Sequence, residues 1–327
     1  MNLSYRVIRN GYFVPAGMVC GQDLIYDENG IVVEDSVIRR EKKAVYSPPS
    51  RLTKDFENKA KVISDRLIFL GPDYFEHYGH WITEGLSKYW ILGNLRNHDY
   101  IIPRTAFLRR KRALLKRLIF FHKEPHYSTA RKIFRIKNDQ LRYCLGPVKS
   151  REIIVPESSI VLRNSISPKH IQVTQEIASH FLKTKRIDND NRPVYLSRTR
   201  LRNPIRKYLS ERTVENYCDQ RGFKIIYPEL LTLEQQIRLF NEHSVFIGPT
   251  GSAFHTVMFR IVGRPVHLIY LTQGNKHANY DLVDELMGNH SYNIPCLEKL
   301  SGQPKKYQMN VSKALDGISR IMDHQVF

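Results

Sequence analysis

The sequence predicts an α/β protein, and three observations carry that prediction. Short apolar runs of strand length alternate with segments of helical periodicity through the second half of the chain. One such run, Val194-Tyr195-Leu196-Ser197-Arg198, empties into a loop carrying Arg200, Arg202, Arg206 and Lys207. Another, Val245-Phe246-Ile247, empties into Gly248-Pro249-Thr250-Gly251-Ser252-Ala253. In an open parallel sheet, ligands sit beyond the carboxyl ends of the strands, and a helix N-terminus there offers N–H groups to phosphate oxygens. Both runs therefore aim cations and amides at one edge.

In order along the chain, residues 1–70 alternate strand-like runs (30–33, 66–70) with polar turns. Residues 79–95 read as a helix, with Trp81, Ile82, Leu86, Tyr89, Trp90 and Leu92 at helical spacing. A strand at 100–103, a helix over 106–121 and a last strand at 151–156 complete the first half. A linker is expected at 157–167, because Ser167-Pro168 supplies an N-cap followed by proline at the first helical position, opening a helix to about 183. After a polar break at 187–192, the pattern predicts strand 194–197, helix 209–221, strand 223–227, helix 233–242, strand 245–247, a helix from 252, and strand 266–270. Such alternation argues for a parallel, doubly wound sheet. The expected domains are 1–160 and 161–327, the last helix being able to pack back on the first, with a ligand in the cleft where two α/β domains face each other.

A chain of 327 residues suits two domains of ordinary size, and 42% apolar composition excludes disorder. The net charge of +19 calls for a polyanion nearby: nucleic acid, an anionic membrane, an acidic glycan or nucleotide phosphates. Cys20, Cys144, Cys218 and Cys296 form no C-x-x-C pair, so reduced core cysteines are expected rather than a zinc or redox motif. The start of the chain lacks a signal-like apolar stretch, and no apolar run approaches the roughly 20 residues that span a bilayer. A cytoplasmic protein is expected.

Residues 77–86, His-Tyr-Gly-His-Trp-Ile-Thr-Glu-Gly-Leu, carry the second candidate site. His80 and Glu84 stand four apart, so a helix places them on one face, where they can hydrogen-bond or bracket one substrate. An acid-base pair, an ordinary ion pair at a helix start, and a zinc set with His77 all fit this spacing. The run from Arg104 to Arg117 holds seven Lys or Arg and no acid, interleaved with leucines and Phe107, a pattern shared by solvated helices and membrane-surface helices. The glycine turn at 248–252 lacks the lysine of a P-loop.

Taken together, these segments resemble the family 61 glycosyltransferases, in the bacterial form associated with capsular and other surface polysaccharides. Residues 77–88 are similar to the family's Asn-Tyr-x-His-Trp-Leu-x-Glu-x-Leu-Pro-Arg. Ser197-Arg198, Arg206-Lys207-Tyr208-Leu209-Ser210-Glu211 and Gly222-Phe223 are similar to its Ser-Arg, Arg-Arg-x-x-Asn-Glu and Gly-Phe. Pro228-Glu229, Gln235-Gln236 and 248–253 match its Pro-Glu, Glu-Gln and Gly-x-His/Thr-Gly-Ala. The chain departs at His77 and Ser210, where asparagine is usual, at Gln235, where glutamate is usual, and at Ser87-Lys88. The resemblance implies a GT-B architecture of two Rossmann-like domains and an inverting, metal-independent transfer from a nucleotide-diphosphate sugar, UDP-linked by expectation. It implies Glu84 and His80 as catalytic, with Glu84 favoured as base. Arg198, Arg206, Lys207, Glu211, Gln236, Thr250, Gly251, Ser252 and Ala253 are expected on the donor, and His77, Trp81 and Arg202 on the acceptor. No metal or other cofactor is expected. The acceptor is expected to be an acidic or lipid-linked glycan, with peripheral contact to the anionic inner face of the plasma membrane. The rivals are a nucleic-acid-binding protein and a glycan-binding relic; cations gathered at strand ends argue against the first.

Overall fold

The computed structural model describes residues 2–71, 77–95, 100–105, 126–183, 187–201, 206–261, 263, 265–303 and 305–324. The helix expected at 106–121, and Arg202, lie outside the described residues. The chain divides into two compact units, Met1–Thr174 and Gln175–Phe327.

The first unit is built on a seven-stranded mixed sheet. Its strands are β1 (Tyr5–Arg9), β2 (Tyr12–Val14), β3 (Leu24–Tyr26), β4 (Lys61–Ile68), β5 (Tyr100–Thr105), β6 (Leu141–Cys144) and β7 (Val148–Pro156). The order is β3-β2-β7-β4-β5-β6, with β1 also on β7; β7-β4-β5-β6 run parallel, while β1 and β2 join β7 antiparallel. Strand β7 is the apolar run foreseen at 151–156, extended at its start, and Ile153 and Val155 pack with Leu67, Phe69, Phe13 and Ile25 in one core.

Two expectations change here. Residues 30–33 form only isolated bridges, Ile31 to Arg51 and Val32 to Tyr26. Residues 157–167 are no linker: Ile160–Val161 and Ser165–Ile166 pair as an antiparallel ribbon inside the first unit. Its apolar Ile160 and Leu162 are buried, which holds the segment in the packed interior rather than releasing it.

The helix expected over 79–95 is broken into short turns. One α turn, Tyr78–His80, leads into a π turn, Trp81–Gly85, closed by the Leu86 N–H on the Trp81 carbonyl at 3.1 Å. Tighter turns follow at Tyr89–Ile91 and Leu92–Leu95. Trp81, Ile82, Leu86, Tyr89, Trp90 and Ile91 are all buried, so no solvent face is left to impose a regular period. The Thr83 hydroxyl also bonds back to the Gly79 carbonyl at 2.9 Å, a contact that competes with the helical ladder. Single π turns inside helices are frequent at functional sites.

The second unit holds β8 (Val194–Leu196), β9 (Lys207–Leu209), β10 (Lys224–Ile226), β11 (Val245–Pro249), β12 (His267–Thr272), β13 (His290–Pro295), β14 (Leu297–Lys299) and β15 (Lys306–Met309). Its helices are α1 (Pro168–Leu182), which begins in the first unit, α2 (Glu211–Gln220), α3 (Leu233–Glu242), α4 (Ala278–Met287) and α5 (Val311–His324). The main sheet runs β10-β8-β11-β12-β13, parallel throughout. Helix α3 begins at Thr232, whose hydroxyl accepts from the Gln235 N–H while the Gln235 side chain returns to the Thr232 N–H, the reciprocal cap of a helix start. Helix α2 ends on Gly222 at φ +80°, which lets the Phe223 N–H reach the Cys218 carbonyl at 3.0 Å.

Two features of this unit differ from expectation. Leu209, read as the start of a helix, instead ends the strand Lys207–Leu209, which lies in a separate three-stranded sheet with β15 and β14. Residues Ser252–Phe259 wind as 3₁₀ turns, not as an α-helix. The last helix, α5, packs on β13 and α2 of its own unit, burying Ala314 and Ile318 in the core of that unit. All four cysteines are thiols, and Cys144, Cys218 and Cys296 are buried.

Candidate active site

In the first unit the π turn brings His80 and Glu84 together. The Glu84 carboxylate is buried, and each of its oxygens is met: Oε1 by Arg40 Nε at 2.8 Å, Oε2 by Arg40 Nη2 at 2.9 Å and by His80 Nδ1 at 2.7 Å. Burial would raise the pKa of this carboxyl, but the hydrogen bonds from His80 and Arg40 outweigh it and hold the pKa below its ordinary value. A carboxylate only accepts, so His80 Nδ1 carries the hydrogen, and in the neutral ring the lone pair sits on Nε2. Ser87 and Ser159 support the turn from below. The Ser87 hydroxyl donates to the Glu84 carbonyl at 2.8 Å, and Ser159 donates to the Ser87 carbonyl through both its N–H and its hydroxyl. Lys88, buried, donates to the carbonyls of Asp35 and Pro156, and burial draws its pKa down to about 8. A cavity of about 400 Å³ borders the turn, with Asp35, Glu84, Ser87, Lys88 and Glu157 in its wall.

Of the residues expected on an acceptor, His77 is exposed and its ring lies 5.0 Å from that of His80. Trp81 is different: at 2% exposure it is a core residue with no face to offer. The π turn rotates it inward with Ile82.

In the second unit the strand order fixes the candidate site. Taken in chain sequence, the five parallel strands lie in the order 2-1-3-4-5, which reverses between β8 and β11, and open α/β sheets bind ligands at that reversal. The two loops leaving it are Ser197-Arg198-Thr199 and Thr250-Gly251-Ser252. They touch: a Cβ added at Gly251 would lie 2.5 Å from Arg198 Nη1. Gly248 has a different constraint, since a Cβ there would sit 2.7 Å from the Leu196 carbonyl oxygen. The glycines therefore permit close approach, one to a backbone and one to a cation.

Arg198 is positioned by its neighbours. Its N–H donates to Glu211 Oε1 at 2.7 Å, and its guanidinium lies 5.5 Å from the Tyr208 ring, while its buried Nε has no hydrogen-bond partner among the described residues. Glu215 holds the same loop through Ser197, Thr199 (2.6 Å), Tyr227 (3.0 Å) and Arg212 (2.8 Å). Arg206 lies over Tyr307 at 5.9 Å and, with Arg198, bears on the Tyr208 and Tyr280 hydroxyls. Tyr280 donates to the Gly251 carbonyl at 3.1 Å. Glu211 is buried, and that burial pushes its pKa up to about 7 against the Arg198 contacts. Thr250, whose N–H donates to the Leu271 carbonyl at 3.1 Å, Ser252 and Ala253 line up beside Gly251. Gln236 is buried on α3. Lys207 is exposed and alternates away from the buried Tyr208.

The model of glycosyltransferase family 61 matches residues 78–266, more than half of the chain. The chain belongs to glycosyltransferase family 61. Curated proteins give no significant match to it. This glycosyltransferase carries His80, Glu84, Arg198, Arg206, Glu211 and Gly251 inside the family segment. Arg40 lies upstream of that segment and Tyr280 and Tyr307 beyond it. Sequence reasoning passed over all three: Arg40 sits in an unremarkable Arg39-Arg40 pair, and nothing local marks a tyrosine whose partner is a backbone carbonyl in a distant loop. The departure at Ser210 has a geometric reading. Ser210 is left-handed, at φ +65°, a conformation that asparagine adopts more readily than serine.

Proposed function

We propose that this glycosyltransferase transfers a sugar, with inversion, from a nucleotide-diphosphate donor to a hydroxyl of a surface or capsular polysaccharide, with the two-domain organisation of GT-B enzymes and on the cytoplasmic side. The observation that carries the reading is the hydrogen bond from His80 Nδ1 to the buried, Arg40-bound Glu84 carboxylate. With both oxygens of Glu84 engaged, His80 Nε2 is the better-placed base, and Glu84 orients the ring and stabilises the imidazolium that forms. The acceptor hydroxyl gives its proton to Nε2 as its oxygen attacks the anomeric carbon, and the bond to the diphosphate breaks on the opposite face. The sequence-level preference for Glu84 as base is thereby exchanged for His80.

The leaving diphosphate gathers charge as that bond breaks. Arg198 and Arg206, at the strand-order reversal, are the groups to stabilise it, with the Gly251 loop supplying N–H groups. Fixed guanidinium groups do the work that a bound cation would do, so no metal requirement is proposed. The test is a thermal-shift panel of UDP-, GDP-, CMP- and dTDP-sugars. A shift with one nucleotide that disappears in Arg198→Ala supports the donor site; no shift with any of the four removes it.

A further inference from the structure

We propose that Arg40 is a positioning residue for the transfer reaction: its guanidinium fixes both oxygens of Glu84, so that the carboxylate holds the His80 ring with Nδ1 donating. This rests on the reading of His80 as the base.

The contact is two-pronged, Nε to Oε1 at 2.8 Å and Nη2 to Oε2 at 2.9 Å, which fixes the plane of the carboxylate as well as its place. Nη2 also lies 3.3 Å from His80 Nδ1, so one guanidinium touches both members of the pair. Arg40 is itself held. It ends the strand Arg39–Arg40, which pairs with Lys43–Ala44, and it bridges in parallel to Leu162. The next residue, Glu41, donates its N–H to the Leu162 carbonyl at 2.7 Å and takes an ion pair from Arg163 at 3.1 Å. The segment around Leu162 is tied in turn to the π turn through Ser159 and the Ser87 carbonyl. The guanidinium therefore approaches Glu84 from a frame anchored on both sides. The Arg40 side chain is 38% exposed while that of Glu84 is 6% exposed, so the ion pair holds a largely desolvated carboxylate.

The groups facing Glu84 are His80, from its own turn, and Arg40, from the ribbon; Tyr46 faces Arg40 from beyond the same ribbon. Without Arg40, burial acts on Glu84 against only the His80 hydrogen bond, and the carboxyl takes up a proton at higher pH. A protonated Glu84 can donate to Nδ1, which inverts the tautomer and removes the lone pair from Nε2.

The test follows the Glu84 side-chain carboxyl by ¹³C NMR across pH in the full chain, assigned with Glu84→Gln, in wild type, Arg40→Met and Arg40→Lys. Its companion is the pH profile of turnover with the nucleotide sugar that the thermal-shift panel identifies. The Glu84 titration should rise by about one to three pH units in Arg40→Met, the range an opposite charge commands, and Arg40→Lys should recover part of it. The acid limb of turnover should move with it. An unmoved titration in the folded Arg40→Lys and Arg40→Met variants overturns the proposal. So does a shifted titration with an unchanged acid limb, which would make Arg40 a structural partner only. Full turnover in His80→Ala is a separate result: it sinks the base assignment and leaves the Arg40–Glu84 titration standing.

Discussion

Two glutamates of this protein are equally buried and respond in opposite directions. Glu84, in the first unit, is held below its ordinary pKa; Glu211, in the second, is pushed up to about 7. Desolvation acts on both and is the largest influence on each. The difference lies in the partners. Glu84 faces a guanidinium squarely and an imidazole, whereas Glu211 receives the Arg198 backbone N–H and has Glu215 and Glu229 nearby. Partners, not depth, decide which carboxylate stays charged. The contrast fits the two proposed tasks, a charged group that steadies a base and one whose charge is suppressed beside the Arg198 cation proposed to meet the phosphate.

The largest effect that tests this contrast is on turnover. His80→Ala should lower it by about 10²- to 10⁴-fold, the range associated with a positioned acid or base. Glu84→Gln should cost nearly as much, because an amide cannot stabilise the imidazolium. Nucleotide affinity should stay within about twofold in both, since the proposed donor residues belong to the second unit. Initial rates and calorimetry on the same preparations check this. A nucleotide affinity that collapses in His80→Ala would break the division of labour. Arg198→Ala should do the reverse, weakening nucleotide diphosphate binding by about 10- to 100-fold, the loss of one or two charge-assisted hydrogen bonds. An unchanged dissociation constant would detach Arg198 from the donor.

The glycines sharpen the same division at smaller amplitude. Gly248→Ala would set its Cβ 2.7 Å from the Leu196 carbonyl, where only backbone can yield, and should destabilise the fold by about 3 kcal/mol. Gly251→Ala meets the end of a flexible side chain, Arg198 Nη1, at 2.5 Å. Its melting temperature should therefore change little while nucleotide affinity falls. Equal losses of stability in the two variants would show that Gly251 serves packing rather than the cation.

Much of the second unit was legible because its signals are local. Thr232 with Gln235, Gly222, and Ser167 with Pro168 each mark a helix boundary through their own backbone chemistry, and α3 begins and ends where its periodicity predicts. The parts that were not legible depend on tertiary contacts. The π turn at Trp81–Gly85 follows from burial on every side, which periodicity reads as a plain helix. The ribbon at 160–166 is too short to carry a pattern. In the candidate site, His80, Glu84, Arg198 and Gly251 stood out by type and spacing. Arg40 and Tyr280 did not, since each acts on a residue far away in sequence, Arg40 on Glu84 and Tyr280 on Gly251. Trp81, placed on the acceptor through the family resemblance, lies in the core, because burial on every side of the turn is set by tertiary packing rather than by type or spacing.

The smallest effect concerns Glu211 and is visible only through its pH dependence. A carboxyl with a folded pKa of about 7, against an ordinary value of 4.5, binds more protons folded than unfolded between those pH values. Stability therefore falls as pH rises through that window, and the full penalty applies above about pH 7. At 1.36 kcal/mol per unit the ceiling is about 3 kcal/mol. Glu211→Gln removes the charge but keeps an oxygen to accept the Arg198 N–H, and its buried amide NH₂ takes back part of the gain. We expect about 1.5 kcal/mol of added stability at pH 8 and almost none at pH 4.5, read as the difference in urea midpoints at the two pH values. The corresponding Glu84→Gln variant should behave oppositely, being destabilised at pH 8 and approaching wild type on acidification, because there the charged form is the one the fold favours. A gain of the same sign for both variants at pH 8 would mean that burial alone governs the two carboxyls, and that Arg40 and His80 do not offset it at Glu84.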